Sequence, residues 1–143
     1  MALDAESEAI GSLLLDRGAL TVEQLDAAED LAEDWNVSLV KVLLSRRWLT
    51  AHDLYREIAF YHGLTLVDLI EDRADDDLIR QYDPVVMNQY MTVPIGRAED
   101  GTLTVATSRP GPRTVLHIRE VYGTGVTIVV ASHFDVSWQL QRA

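Results

Sequence analysis

A pattern of twelve residues occurs twice in the first sixty residues of the chain, and the two copies lie 29 residues apart. Residues 14–25 align with residues 43–54, and six of the twelve positions are identical: two leucines, an arginine, a Leu-Thr pair and a final leucine. In both copies a leucine-rich segment leads through a short loop into a second apolar segment. One unit of this size cannot cover its own apolar face, so we expect the two units to stack.

Helical spacing and capping signals predict four helices in residues 1–63. Apolar residues recur every three or four positions through this stretch, which is the period of an amphipathic helix. Thr21 begins the pattern of a capping box, and Thr50 begins a weaker copy of it. Gly18 and Gly63 stand where the first and fourth helices should end.

Residues 64–143 follow a different pattern, in which short strands and short helices alternate. Asp100-Gly101 is a turn signal between two alternating segments, and a strand of branched residues follows a helical segment. These segments are predicted as a hairpin, a helix and a third strand at 92–97, 102–107, 113–122 and 126–131. A strand, a helix and a strand in succession favour one crossover connection. Residues 62–69 are expected to form an extended connector, and Ser132 to cap a closing helix.

The predicted fold class is therefore α+β. A four-helix subdomain built from the duplicated helix–loop–helix fills residues 1–63, and a small α/β subdomain with a three-stranded sheet fills residues 64–143. Apolar residues make up 48% of the 143 residues, which is sufficient to form a hydrophobic core.

The charge of the chain excludes several kinds of partner. The net charge is −11, of which −10 falls in residues 1–75, with sixteen acids and six bases. Nucleic-acid binding needs clustered Lys and Arg, so it is not expected. No apolar run approaches the roughly 20 residues that span a bilayer, so membrane insertion is not expected either. The absence of cysteine fits a cytoplasmic location.

No catalytic or metal site is predicted from the sequence. A Gly-Lys-Ser/Thr phosphate loop does not occur, and the four histidines lack the spacing of metal ligands. Ser132, His133 and Asp135 are close in sequence, but no strained nucleophile turn accompanies them. The run of acids Glu29-Asp30 and Glu33-Asp34 is expected to be a solvated helix face.

The chain as a whole resembles the N-terminal domain of type II secretion and type IV pilus assembly ATPases, a module also fused to some bacterial family-2 glycosyltransferases. The paired helical motif carries the resemblance, together with three segments of the second half: 93–95, 103–106 and 122–126. In some members the motif pair binds cyclic di-GMP. There, aliphatic side chains pack on guanine, glycines admit the backbone, and an arginine contacts phosphate.

The apolar frame of that motif is intact here, whereas most of its polar positions are changed. Ala9 and Ser38 stand at the two arginine positions, and Val40 and Arg47 replace glycines. Arg17, Arg46 or Arg47 are the residues left to contact phosphate. The resemblance implies one candidate surface for cyclic di-GMP or for docking, made of Ile10, Gly11, Leu14, Leu15, Arg17, Gly18, Leu20, Leu25, Leu39, Leu43, Leu44, Arg46, Arg47, Leu49 and Leu54.

The favoured hypothesis is a non-catalytic regulatory or protein-docking domain of a larger bacterial protein. That protein is expected to be a glycosyltransferase for polysaccharide synthesis or a secretion-type ATPase, with the first preferred because the ligand motif is degraded. The alternative is a cyclic di-GMP receptor that holds the dinucleotide across the two repeats. A stand-alone enzyme is the third hypothesis, and it needs a spatial site that the sequence does not reveal.

The expected partner is the remainder of the same polypeptide or a protein of secretion or polysaccharide synthesis. No cofactor other than cyclic di-GMP is considered, and approach to the inner face of the membrane is expected only through partners. Trp35 and Trp48, near the repeated loops, are candidates for a partner anchor, although helical periodicity favours a place in the core for both.

Overall fold

The computed structural model describes residues 5–70 and 74–142. The chain divides into two compact units, Met1–Tyr61 and His62–Ala143. The first is helical and the second combines helices with a three-stranded sheet, so the predicted α+β class is confirmed. The division lies two residues before the boundary of 63/64 expected from the sequence.

The first unit contains the four expected helices. They are α1 (Ala5–Asp16), α2 (Val22–Trp35), α3 (Leu39–Arg46) and α4 (Ala51–His62). Helix α1 ends before Gly18 (φ +71°), and α4 ends before Gly63 (φ +68°). Both glycines take the left-handed conformation that closes a helix without a Cβ clash.

Hydroxyl side chains cap the N-termini of α2, α3 and α4 in the first unit. Thr21 and Gln24 form the predicted capping box, with N–H to side-chain oxygen distances of 3.1 and 3.0 Å. The hydroxyl of Thr50 accepts from the N–H of Asp53 at 3.0 Å. Ser38, which the capping signals did not single out, accepts from the N–H of Lys41 at 3.1 Å and begins α3. Each such cap is worth about 1 kcal/mol.

The core of the first unit is built from equivalent residues of the two repeats. Leu14 on α1 and Leu43 on α3 are fully buried, as are Leu39 and Leu54. Gly11 admits the close approach of α2, because a Cβ at that position would lie 3.1 Å from Cδ1 of Leu25. The stacking expected of the two helix–loop–helix repeats therefore takes the form of a leucine core inside the first unit.

The second unit is built around a mixed three-stranded sheet. Its elements are α5 (Asp76–Ile79), α6 (Pro84–Tyr90), β1 (Thr92–Arg97), β2 (Leu103–Thr107), α7 (Pro112–Tyr122), β3 (Thr127–Val130) and α8 (His133–Arg142). The strand order is β1-β2-β3. Strands β1 and β2 form the predicted antiparallel hairpin, and β2 and β3 are parallel, joined by α7.

Helices cover both faces of this sheet. Leu103 and Val105 of β2 point to one face and pack with Ile118 of α7. Ala106 of β2 points to the other face and packs in a cluster with Val136 of α8. Helices α7 and α8 therefore lie on opposite faces, as the side-chain alternation of a strand dictates.

The connector before α5 is held by two different partners. The N–H of Val67 donates to the carbonyl of Val130, and the N–H of Val130 donates to the carbonyl of Thr65, both at 2.8 Å. Further along, Asp135 accepts from the N–H of Leu69 at 3.2 Å, and the side-chain amide of Gln139 donates to the Leu69 carbonyl at 2.8 Å. The extended form was expected, but these contacts were not.

Candidate functional site

The structure separates the fifteen residues of the candidate surface into a core group and a surface group. The buried ones are Ile10, Gly11, Leu14, Leu20, Leu25, Leu39, Leu43 and Leu54. Leu15, Leu44 and Leu49 are half-buried, and Arg17, Gly18, Arg46 and Arg47 are exposed. Only three leucines and three arginines of the set therefore have side chains that a ligand can reach without unpacking the core.

Arg17 is already engaged inside the first unit. Its Nε forms an ion pair with Oε2 of Glu57, and its guanidinium carbon lies 4.2 Å from the centroid of the Phe60 ring. Glu57 is 7% exposed, so its carboxylate needs a cation. Recruiting Arg17 to a phosphate would leave that carboxylate without its counter-ion.

The second copy places two arginines at the same loop. Arg46, which is equivalent to Arg17, lies over Trp35 at 6.0 Å from the ring centroid. Arg47 occupies the place that Gly18 has in the first copy, and its φ of 60° is likewise left-handed. Trp35 is 54% exposed, so the expected core position is wrong for this residue. It is the last residue of α2, where Asn36 turns the chain away.

The positions that carry arginine in the resembling family provide no cation in this chain. Ser38 is the N-cap of α3, and its hydroxyl accepts from the N–H of Lys41. Ala9 lies half-buried within α1. Val40, at a former glycine position, is half-buried in the first turn of α3. These substitutions support helix structure rather than phosphate recognition.

One face of α2 is strongly acidic. Its exposed carboxylates recur at the spacing of a single helix face and are Glu23, Asp26, Asp30, Glu33 and Asp34. Helix α2 contains no basic residue. The pKa of the neighbouring Glu29 is raised, first by burial and then by the charges of Asp26, Glu8 and Asp30. We call this surface the acidic face of α2.

Sequence reasoning missed Glu57 as the partner of Arg17. Glu57 stands between Leu54 and Ile58 on α4, and both of these aliphatic residues are buried. A carboxylate on the buried stripe of an amphipathic helix requires a partner. That spacing was the signal that could have paired Glu57 with an arginine of the repeat.

Other kinds of site find little support in residues 5–70 and 74–142. Within those ranges no three His, Asp or Glu side chains are grouped so as to hold a metal ion. The hydroxyl of Ser132 accepts from the N–H of Asp135 at 3.1 Å, so Ser132 is the predicted cap of α8. Among the helices of the described residues, none has the length and apolar character needed to cross a membrane.

Comparison with known proteins decides the family. The family model of the MshEN domain matches residues 62–143, which is more than half of the chain and begins at the first residue of the second unit. The chain belongs to the MshEN domain family. No curated protein matches the chain.

Solved structures extend the likeness of this MshEN domain to both units. The structure of MshE with cyclic di-GMP has a TM-score of 0.76 at 24% identity, covering 93% of this chain and 96% of the other. The N-terminal domain of XpsE has a TM-score of 0.73 at 20% identity, covering 99% and 98%. A second crystal form of the XpsE domain has a TM-score of 0.57.

These matches confirm the resemblance to N-terminal domains of type II secretion and type IV pilus ATPases. An MshEN domain is an accessory domain and not itself the catalytic part. At such identities the structural matches show a shared fold. The helical repeat lies before the segment that the family model matches.

Proposed function

We propose that this MshEN domain is a regulatory docking domain of a larger bacterial protein and that its first unit binds a basic segment of a partner protein. The observation that carries the proposal is the acidic face of α2, which presents five exposed carboxylates on a helix that contains no Lys or Arg and ends at the exposed Trp35. The likeness to MshE and XpsE favours a secretion-type ATPase over a glycosyltransferase as the parent protein.

The acidic face suits a basic partner for two physical reasons. A field of one sign steers a partner of opposite charge and raises the association rate, and the effect weakens with salt. An exposed tryptophan at the margin of such a field can supply the buried anchor that charge alone does not give. The partner expected is therefore a Lys/Arg-rich segment with an apolar residue, in a secretion or polysaccharide-synthesis protein.

A synthetic basic amphipathic peptide provides the test, with binding followed by tryptophan fluorescence and calorimetry. The double variant Asp26→Asn/Asp30→Asn should weaken binding by about tenfold, because two carboxylates of the face are lost. The matched control is Glu99→Gln/Glu120→Gln, which removes two exposed acids from the second unit. Equal weakening by both doubles would show general attraction to an acidic protein and would sink the docking proposal.

Cyclic di-GMP binding is the second candidate function, favoured by the match to MshE with cyclic di-GMP. Leu15, Leu44 and Leu49 are the half-buried leucines that could pack on guanine. Calorimetric titration with cyclic di-GMP should then show micromolar binding that Leu15→Gln or Leu44→Gln removes. Val85→Gln, at a 72% exposed site of the second unit, is the control. Absence of heat at high protein concentration would exclude this candidate.

A further inference from the structure

The carboxyl ends of β2 and β3 form the starting point of an inference about the second unit. These strands are parallel neighbours, and the N–H of Ala131 donates to the carbonyl of Thr107 at 3.1 Å just beyond them. From there the chain leaves β2 toward α7 on one face of the sheet and β3 toward α8 on the other. In α/β sheets a crevice opens where neighbouring strands connect to opposite faces, and ligands bind there.

The N-terminus of α7 lies at this crevice without a side-chain cap. Gly111 is the N-cap residue and Pro112 is the first helical residue, and no side chain bonds the end. The first α-helical bond is donated by the N–H of Val115 to the carbonyl of Gly111 at 3.0 Å. The N–H groups of Arg113 and Thr114 precede it and have no acceptor in the helical pattern. They stand at the positive end of the dipole of an eleven-residue helix.

Ser108 is a second, independent feature of this end of the sheet. It follows β2 directly, and it is 7% exposed. Among the residues that the structure describes, its buried hydroxyl has no hydrogen-bond partner. Nearly all buried polar side chains in folded proteins have one. The neighbouring Arg109 N–H is already used, because it donates to the hydroxyl of Thr107 at 3.1 Å.

The local charge at the crevice is opposite to that of the chain. The β2–α7 loop and the start of α7, residues 108–114, contain two arginines and no acid, in a chain of net charge −11. Arg109 is exposed, and its guanidinium reaches the carbonyl of Gln89 at 3.4 Å. Asp135 is the acid of the first turn of α8, and it accepts from the N–H of Leu69. A basic stretch beside an uncapped helix end is suited to a multiply charged oxyanion.

We propose that the crevice between the β2–α7 and β3–α8 loops binds a phosphate group. The hydroxyl of Ser108 and the N–H groups of Arg113 and Thr114 donate to its oxygens. The side chains of Arg109 and Arg113 balance its charge. The group is either inorganic phosphate or the phosphate of a nucleotide. This site belongs to the second unit and is independent of the docking function proposed for the acidic face of α2.

Titration of the ¹⁵N-labelled chain with inorganic phosphate, at constant ionic strength set by sodium chloride, tests the proposal. Saturable amide shifts are expected at the non-proline residues of 108–114. Ser108→Ala and Arg113→Gln should each weaken binding by about tenfold, the loss of one charge-assisted bond. Arg119→Gln removes the same charge from the last turn of the same helix, and it should change the affinity less than about twofold.

Thermal unfolding separates a binding role of Ser108 from a structural one. Without phosphate, Ser108→Ala should melt no lower than the wild type, because it removes a buried hydroxyl that lacks a partner. Phosphate should raise the melting temperature of the wild type more than that of this variant at the same phosphate concentration. A lower melting temperature without phosphate would assign the hydroxyl to the fold and overturn the proposal.

Two further outcomes decide the matter. Absence of saturable shifts would mean that no phosphate site exists and would overturn the proposal. Equal weakening by Ser108→Ala and Arg119→Gln would mean that anions are attracted to the unit without a specific site, and it would also overturn the proposal. A parallel titration with a nucleoside monophosphate identifies the source of the group. Tighter binding than inorganic phosphate by about tenfold or more assigns a nucleotide, and equal binding assigns free phosphate.

Discussion

Arg47 and Gly18 hold equivalent places in the two repeats, and both have a left-handed backbone, with φ of 60° and 71°. Glycine adopts this conformation freely, whereas a side chain costs about 1–2 kcal/mol. Arg47→Gly should therefore raise the free energy of unfolding by about 0.5–1 kcal/mol, after the added entropy of the unfolded chain is subtracted. Urea denaturation measures the change.

The matched control for this prediction is the reverse exchange in the first repeat. Gly18→Arg should lower the free energy of unfolding by about 1 kcal/mol, although no atom lies within 4 Å of the Cβ position. Destabilisation by Arg47→Gly would contradict the prediction and show that the Arg47 side chain stabilises the loop more than its backbone strains it.

Tyr122 and Thr92 form the second prediction at this scale. Their hydroxyl oxygens are 3.1 Å apart, and Thr92 is fully buried. Tyr122→Phe should cost about 1–2 kcal/mol, because the Thr92 hydroxyl is left buried without a partner. The double variant Tyr122→Phe/Thr92→Val should recover most of that loss. Urea denaturation of the double-mutant cycle decides, and simple additivity of the two single losses contradicts the pairing.

The same tyrosine makes the stability of the fold depend on pH in the alkaline range. Burial raises the pKa of Tyr122 above its ordinary 10.0, against the lowering effect of the bond to Thr92 and with a further rise from Tyr82. The unfolded chain therefore loses this proton first, and stability should fall as pH rises above 10.0. Difference absorbance between wild type and Tyr122→Phe should show one late-titrating phenol.

At the scale of elements, the sequence predicted most of the helices and strands because their signals are local. The capping box at Thr21, the Asp100-Gly101 turn and the glycines at 18 and 63 each act within a few residues. The hairpin and the third strand lie within a few residues of their predicted bounds. The prediction that Trp35 lies in the core was wrong, because the apolar period of a helix does not show at which residue the helix ends and the chain turns away from the core.

The contacts that shape the candidate site were hidden because they join distant residues. Arg17 lies just after α1 and Glu57 lies in α4, and no short-range pattern connects them. The leucines of the motif could be named from the sequence, but their division into buried and half-buried groups could not. Leu14 and Leu15 are adjacent and identical in type, and only the packing of α1 makes the first fully buried.

Helix α2 carries a prediction about its own charge. The raised pKa of Glu29 means that its carboxylate is less favourable in the folded chain than in the unfolded one. Stability is therefore lost as pH rises from 4.5 through the raised value. Glu29→Gln should raise the melting temperature at neutral pH, and the gain should vanish in acid where the carboxyl is protonated in both states.

A control on the same helix separates this effect from general loss of charge. Glu23 is exposed in the first turn of α2, where a negative charge favours the helix dipole. Glu23→Gln should leave the melting temperature at neutral pH unchanged or slightly lower. An equal gain from both variants would attribute the effect to net charge and not to the surroundings of Glu29.

For the whole molecule, the net charge of −11 predicts a dependence of stability on salt. Sodium chloride screens repulsion between exposed acids, so the melting temperature should rise by about 3 °C between low and moderate salt. The rise in melting temperature with salt should be smaller in Asp26→Asn/Asp30→Asn, because this variant removes two carboxylates from the acidic face of α2. A melting temperature independent of chloride concentration would mean that the acids do not repel one another enough to matter.

The hydrogen bonds between α8 side chains and the backbone of Leu69 affect the order in which the two units can fold during synthesis. Asp135 and Gln139 are 66 and 70 residues beyond Leu69, and their side chains supply the partners that a neighbouring strand would otherwise give. A chain emerging from the ribosome can assemble its four N-terminal helices early, because domains fold as units from the first one synthesised. The α/β unit can complete its fold only after α8 has been synthesised, because α8 supplies the hydrogen-bond partners of Leu69.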